Sequence, residues 1–153
     1  MANESIPEIP GLKDRLLVVY DGECGLCNSS IRWMLRRDRH DRLRFAPSNS
    51  YQVQSLLASH GVQMAGPDTG PDSILVFRSV GTPVEEMLVR SNGILACLRV
   101  LPQPWPVLAA IIRLVPRPIR ESGYRLIARS RYRIWGRYAV CPIPTAEERA
   151  HFL

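Results

Sequence analysis

The sequence predicts a mixed α/β fold in one domain. Short apolar runs typical of buried strands alternate with stretches of helical periodicity over the first hundred residues, and helical stretches alone follow them. A chain of 153 residues is long enough for one hydrophobic core, and a second independent core is not expected. Its content of 46% hydrophobic and 22% charged residues is typical of globular proteins, which argues against a disordered or low-complexity chain.

Four short segments carry the strand predictions. Residues 16–20 form a continuous apolar run that predicts a strand buried on both faces, and residues 74–77 repeat that pattern. Residues 43–46 alternate between apolar and polar side chains and stop at a proline. A Gly-Thr-Pro turn after the third strand leads into residues 84–89, which we expect to be its hairpin partner.

Apolar residues at helical spacing predict helices between and after these strands. The predicted helices begin at Gly25, cover about 51–60, begin after a cap at Ser91 or Asn92, and then cover about 107–115 and about 118–138. In the last of them an apolar face is expected to pack on the rest of the protein, and it comprises Tyr124, Ile127, Ala128, Ile134, Trp135 and Tyr138.

The resulting element order, β-α-β-α-β-β-α, is that of a thioredoxin fold. The first two strands should be parallel through a right-handed crossover, and the last two should form an antiparallel pair. We therefore expect one thioredoxin-like domain over residues 1–153, with a core at about 15–101 and a C-terminal helical extension at about 102–153.

A Cys-x-x-Cys motif, Cys24-Gly-Leu-Cys27, lies directly after the first predicted strand and opens the first predicted helix. At that spacing the two sulfurs can meet to close a small disulfide ring. Cys24 should be the more exposed thiol, and the N–H groups and dipole at the start of a helix favour its thiolate, which is the attacking species. Cys27 lies one turn further in, which suits it to resolve a mixed disulfide.

Three residues around the two cysteines are candidates for supporting roles. Asp21 would relay the proton of Cys27 or tune its pKa, or it would only form the Asp-Gly turn. Gly22 permits a sharp strand-to-helix turn, and Gly25 lets the backbone pass close to a docking partner.

Two alternatives for the Cys-x-x-Cys pair are half of a zinc site and two inert buried cysteines, but its position between a strand and a helix favours the redox interpretation. Zinc would need two further ligands, and none of the other cysteines and histidines forms a second close pair. We therefore expect no metal. Cys97 lies among leucines and is expected to be a small buried hydrophobe, whereas Cys141 would either pack or lie near the motif as a third thiol.

The motif resembles that of the DCC family (DUF393) of predicted thiol-disulfide oxidoreductases, which is named for Asp-x-x-Cys-x-x-Cys and is matched at Asp21, Cys24 and Cys27. The resemblance extends over residues 16–153 and includes Asp72-Ser-Ile, Arg90-Ser and the C-terminal pattern from Tyr124 onward. It implies a thioredoxin-like fold and an activity of the protein-disulfide reductase type. From the motif we expect a redox-active Cys24–Cys27 disulfide that acts without a separate cofactor.

Thioredoxins carry a cis-proline just before the third strand, facing the disulfide. Here Pro71, Asp72 and Ser73 precede that strand, so they are candidate substrate-docking positions, or else a plain turn and strand start. The expected partners are a disulfide-bearing protein or a small thiol substrate.

The charge distribution suggests other functions. The net charge is +6, and residues 87–146 hold ten arginines against the single acid Glu121. This pattern allows an arginine-rich binding module for nucleic acid or an anionic membrane surface. A zinc-stabilised interaction protein is a third alternative, and it depends on the cysteines instead of the charge. No nucleic-acid partner is expected, because no nucleic-acid-binding motif accompanies the charge.

The sequence also bears on location. The N-terminus lacks the basic and apolar regions of a secretory signal, and the most apolar stretch, residues 107–115, is far shorter than the roughly 20 residues of a spanning helix. We therefore expect a cytoplasmic protein without a transmembrane segment. Peripheral contact with a membrane stays open.

Overall fold

The computed structural model describes residues 12, 14–20, 25–62, 74–136 and 145–153. Its elements follow the predicted order, and a short 3₁₀ helix at Glu148–His151 is added near the C-terminus. The strands and helices are β1 Leu16–Tyr20, α1 Gly25–Arg37, β2 Leu43–Pro47, α2 Tyr51–Ser59, β3 Ile74–Arg78, β4 Glu86–Val89, α3 Arg90–Val100, α4 Trp105–Arg113 and α5 Arg117–Trp135.

The four strands form one sheet in the order β2-β1-β3-β4. Strand β1 runs parallel to β2, with Leu16 opposite Leu43, and antiparallel to β3, with Tyr20 opposite Ile74. Strands β3 and β4 form the expected antiparallel hairpin. The parallel and antiparallel pairings are as predicted, and the protein has a thioredoxin-like α/β fold.

Strand β1 lies at the centre of the core, and all five of its residues are buried. Side chains alternate between the two faces of a strand, so Val18 and Tyr20 pack with α1 and α3 on one face, while Leu17 and Val19 pack with α2 on the other. Burial on both faces explains why the β1 sequence is a continuous apolar run instead of an alternating one.

The start of α3 differs from the prediction. The helix begins at Arg90, and the expected cap Ser91 is a buried residue inside its first turn. Strand β4 ends at Val89 and leads into the helix without any intervening loop residue. Arg90 makes the change of direction with a positive φ of 54°, so the backbone takes the place of a side-chain cap.

The C-terminal extension packs as an outer layer. Helix α4 lies on α3 through the buried Ala109, and its first residue, Trp105, meets Trp33 of α1 edge to face at 4.6 Å between ring centroids. Helix α5 contacts both α1 and α3. At the C-terminus, Leu153 donates its backbone N–H to the Phe45 carbonyl at 3.0 Å, next to the edge strand β2.

The predicted packing face of α5 is wrong in part. Tyr124 and Ala128 are partly buried, but Ile127 and Ile134 are exposed, while the side chains of Trp135 and Tyr138 lie outside the described part. The reason is that α1 and α3 already cover this face of the sheet, so only a narrow stripe of α5 meets them. In the part of the chain that the structure describes, no helix is both long and apolar enough to cross a membrane.

Candidate functional site

Several strand termini lie side by side at one end of the sheet, which we call the strand-end edge. Tyr20 at the end of β1 lies opposite Pro47 at the end of β2 and opposite Ile74 at the start of β3. Val89 at the end of β4 lies opposite Leu75, so α3 also starts at this edge. Residues 21–24 connect Tyr20 to α1 here, and the Cys-x-x-Cys motif therefore spans the junction between a central strand and a helix.

Cys27 is the third residue of α1 and is only 1% exposed. It belongs to the core cluster formed by α1, α3 and one face of the sheet, in which Ile31 and Met34 lie further along the same helix. The predicted burial of this thiol in the first turn is confirmed. A thiol at this position is shielded from bulk reagents, yet it lies only three residues from Cys24 along the chain.

Gly25 is buried at the start of α1, and its backbone N–H donates to the Gly136 carbonyl at 3.3 Å. Gly136 follows the last residue of α5 and has a positive φ of 76°, a conformation that ends a helix and that glycine adopts without strain. The C-terminal extension thus reaches the start of α1. This contact was not predicted, although a glycine directly after a long helical pattern is a recognisable stop signal.

The other predicted site residues lie outside the described residues. Those residues are Asp21, Gly22 and Cys24 of the motif, Pro71, Asp72 and Ser73 before β3, and Cys141 near the C-terminus. Chain connectivity still relates the first two groups, because Tyr20 and Ile74 are paired neighbours in the sheet. The segment that follows Tyr20 and the segment that precedes Ile74 therefore join the sheet at adjacent positions.

A polar cluster at the start of α3 was not predicted. The Ser91 hydroxyl donates to the Glu121 carboxylate, and the Arg90 guanidinium lies 3.8 Å from the other oxygen of that carboxylate. Arg120 donates to Ser91 Oγ and to Asn92 Oδ1, each at 3.0 Å. The cluster connects α5 to α3 at the strand-end edge. The available signal was the isolation of Glu121 as the single acid among ten arginines.

Cys97 lies in the middle of α3 and is 1% exposed, as expected for a small buried hydrophobe. Burial raises the pKa of the Cys97 thiol to about 12, and the negative charge of Asp38 adds to the effect. Thiolate is the nucleophilic form, so this thiol is unreactive near neutral pH. Of the two cysteines that the structure describes, only Cys27 lies at the strand-end edge.

One group of potential metal ligands occurs among the described residues, formed by Asp38, Asp41 and His151. Its carboxylates already have partners. Asp41 binds Arg15 at 2.7 Å and Arg44 at 2.6 Å, and Asp38 accepts the backbone N–H groups of residues 42 and 43, both at 2.9 Å. The group includes no cysteine, and its contacts are those of a polar anchor between β2 and the C-terminal tail.

Comparison with known proteins gives a consistent assignment. A sequence-family model described as DCC1-like thiol-disulfide oxidoreductase matches residues 18–137. The uncharacterized protein YuxK of Bacillus subtilis (strain 168) is 31% identical over 153 residues, which is all of this chain and 99% of the relative. The chloroplastic DCC family protein At1g52590 of Arabidopsis thaliana is 26% identical over 84% of this chain and 70% of its own length.

No solved structure matches this chain. The family match covers both the strand-end edge with its Cys-x-x-Cys motif and the helix α5 that packs beside it. This chain therefore belongs to the DCC1-like thiol-disulfide oxidoreductase family.

Proposed function

We propose that this protein catalyses dithiol-disulfide exchange, with Cys24 as the nucleophile and Cys27 as the resolving thiol. The observation that supports this most directly is the burial of Cys27 in the first turn of α1, at the sheet edge where β1 ends. Cys24 directly precedes the first residue of α1 in the chain, and the positive end of a helix dipole favours a thiolate there. Membership of an oxidoreductase family supports redox chemistry in general.

The proposed reduction has two steps. The Cys24 thiolate attacks one sulfur of the substrate disulfide, a Cys24–substrate bond forms, and the other substrate sulfur leaves as a thiolate. Cys27 then loses its proton and attacks the Cys24 sulfur, which forms the Cys24–Cys27 disulfide and releases the second substrate thiolate. Two electrons pass from the protein to the substrate, and a dithiol donor restores the reduced pair by the reverse steps.

Other residues have supporting roles in this proposal. Asp21 accepts the proton of Cys27 during resolution, and Pro71, Asp72 and Ser73 contact the substrate chain, because the segment before Ile74 joins the sheet next to the end of β1. The substrate is a disulfide-bearing protein or a small disulfide. The burial of Cys27 keeps it from competing with Cys24 for the first attack.

The test is insulin reduction by the wild type and three single variants. Cys24→Ser should reduce the rate to the uncatalysed background, because the attacking sulfur is lost. Cys27→Ser should accumulate a mixed disulfide between Cys24 and the substrate, visible as a mass increase that a reductant reverses. Cys97→Ala is the matched control and should keep the activity, because that thiol is buried within α3. Unchanged activity in Cys24→Ser would contradict the mechanism.

A further inference from the structure

The C-terminal extension exposes aliphatic side chains to an unusual degree. Of the eleven large hydrophobic residues that are exposed in the described chain, nine lie between positions 107 and 134, on or between α4 and α5. Leu114 is 83% exposed, Leu126 68% and Ile134 64%. Single exposed hydrophobic residues are ordinary, but a concentration of them on two consecutive helices indicates a surface that something else covers.

The exposed residues of α5 form one stripe. Ile119, Leu126, Ile127 and Ile134 follow each other at intervals of seven, one and seven residues, which places them on one side of a helix with 3.6 residues per turn. The opposite side of α5 carries the partly buried Tyr124, Ala128 and Glu121, and it is the side that meets α1 and α3. The stripe therefore points away from the core.

Arginines follow the edge of this stripe. Arg125, Arg129 and Arg133 are spaced by four residues, so they form a row beside the aliphatic residues, and all three are exposed. None of the three forms an ion pair with a carboxylate in the part of the chain that the structure describes. Helix α5 carries six arginines against Glu121 alone. Its outer surface is thus aliphatic along the centre and cationic along the margin.

Helix α4 adds a second exposed stripe just before α5. Val107, Ile111 and Leu114 are spaced by four and three residues on one side of the helix, and Ala109 on the other side is 1% exposed against α3. We name these exposed residues of α4 and α5, with the three arginines, the α4–α5 surface.

We propose that the α4–α5 surface docks on a lipid bilayer that contains anionic lipids, with its helices lying in the plane of the interface. Aliphatic side chains enter the boundary between headgroups and acyl chains, and the guanidinium groups bind lipid phosphates, often through two parallel hydrogen bonds. Neither helix is long and apolar enough to cross the bilayer, so the helices lie on the membrane surface instead of spanning it.

The charges favour a bilayer over a second copy of this chain. A two-fold symmetric contact would bring the same patch of each copy together, and the arginine rows of the two α5 helices would then be desolvated close to one another. An anionic bilayer instead supplies phosphates to the guanidinium groups and an apolar interior to the aliphatic side chains. One partner satisfies both features of the surface.

Docking would also place the redox motif close to the membrane. The residue that follows α5, Gly136, accepts a hydrogen bond from Gly25 at the start of α1, so the junction with the motif adjoins the end of the docked helix. Membrane docking does not depend on the proposed exchange chemistry, and Cys24→Ser should bind vesicles as the wild type does.

The test is co-sedimentation of the full chain, kept reduced, with vesicles of phosphatidylcholine alone or mixed with phosphatidylglycerol. The wild type should bind the mixed vesicles at least about tenfold more tightly than the neutral ones. L126S/I134S should weaken that binding about tenfold or more, because two aliphatic side chains no longer enter the bilayer. R125Q/R129Q/R133Q should weaken it similarly and make the remaining binding less sensitive to salt.

V84S is the matched control, because Val84 is 74% exposed but lies in the β3–β4 connection. It should bind like the wild type, and circular dichroism should show all variants folded, since the substituted side chains are exposed. Three results would overturn the proposal: no binding to either vesicle, equal binding to both, or a stable dimer in sedimentation that L126S/I134S converts to monomers.

Discussion

At the residue scale, the two described cysteines have equal burial but different positions. Each is 1% exposed. Cys27 lies at the start of α1 beside the strand-end edge, whereas Cys97 lies in the middle of α3, where burial and the charge of Asp38 raise its thiol pKa to about 12. Position along a helix, more than burial, therefore separates the proposed resolving thiol from a structural one.

The Cys97 pKa predicts how stability depends on pH. The pKa of the Cys97 thiol in the folded protein lies above its ordinary value of 9.0, so the unfolded chain releases this proton first as the pH rises. The contribution of the protonated thiol to the unfolding free energy is complete below pH 9, and it is lost as the pH rises toward 12. When the pH is raised from 7.5 to 10, the unfolding free energy of Cys97→Ala should therefore fall by about 1 kcal/mol less than that of the wild type.

Urea unfolding of both proteins at the two pH values, with all thiols kept reduced, measures this difference. The other titrating groups are common to both chains and cancel in the comparison. Identical pH dependence of the two proteins would show that the Cys97 thiol titrates as in the unfolded chain.

At the element scale, α3 lies unusually close to the sheet. A Cβ atom added at Gly93 would lie 3.0 Å from Val76 Cγ2 and 3.3 Å from the Leu88 carbonyl oxygen. Val76 is fully buried and has a stiff branched side chain, so it has little room to move. The absence of a side chain at Gly93 lets the helix pack against β3 and β4.

Two glycine substitutions should have opposite effects. Gly93→Ala should lower the unfolding free energy by about 1–2 kcal/mol, because overpacking outweighs the gain in helix propensity. Gly123→Ala in α5 is the matched control, because nothing lies within 4 Å of its added Cβ. It should raise the unfolding free energy by about 0.5–1 kcal/mol. Urea unfolding measures both, and equal effects would disprove the close-contact explanation.

At the scale of the whole molecule, three of the contacts that attach the C-terminal extension involve α1 and α3. Trp105 packs on Trp33, Gly136 accepts the N–H of Gly25, and Glu121 holds the start of α3. The contacts at Gly25 and Glu121 lie at the strand-end edge. The extension is therefore part of the surroundings of the Cys-x-x-Cys motif, and its attachment should influence them.

Glu121→Ala tests this attachment. It removes the acceptor of the Ser91 hydroxyl and the carboxylate that lies 3.8 Å from the Arg90 guanidinium, so the unfolding free energy should fall by about 1–3 kcal/mol. Hydrogen exchange should show α5 losing protection before β1 does. Glu147→Ala removes the same charge from an exposed position and should change stability by less than about 0.5 kcal/mol. Equal effects of the two substitutions would mean that Glu121 does not secure the helix.

Much of the fold was predictable, because its signals are local. The continuous run at 16–20 predicts a strand covered on both faces, and the order of runs and helical stretches predicts the parallel and antiparallel pairings, both of which are confirmed. The position of the Cys-x-x-Cys motif between a strand and a helix follows in the same way. The start of α3 was predicted two or three residues too late, because a backbone conformation at Arg90 replaces the expected cap.

The sequence by itself thus determined the elements, their order and the location of the candidate redox pair. Only the tertiary structure decided where the C-terminal extension lies. Helical spacing shows which residues share a face, but the side that meets the core depends on surfaces that other elements have already covered. That is why Ile127 and Ile134 face outward on α5, and why the end of this helix meets Gly25 across more than a hundred residues of chain.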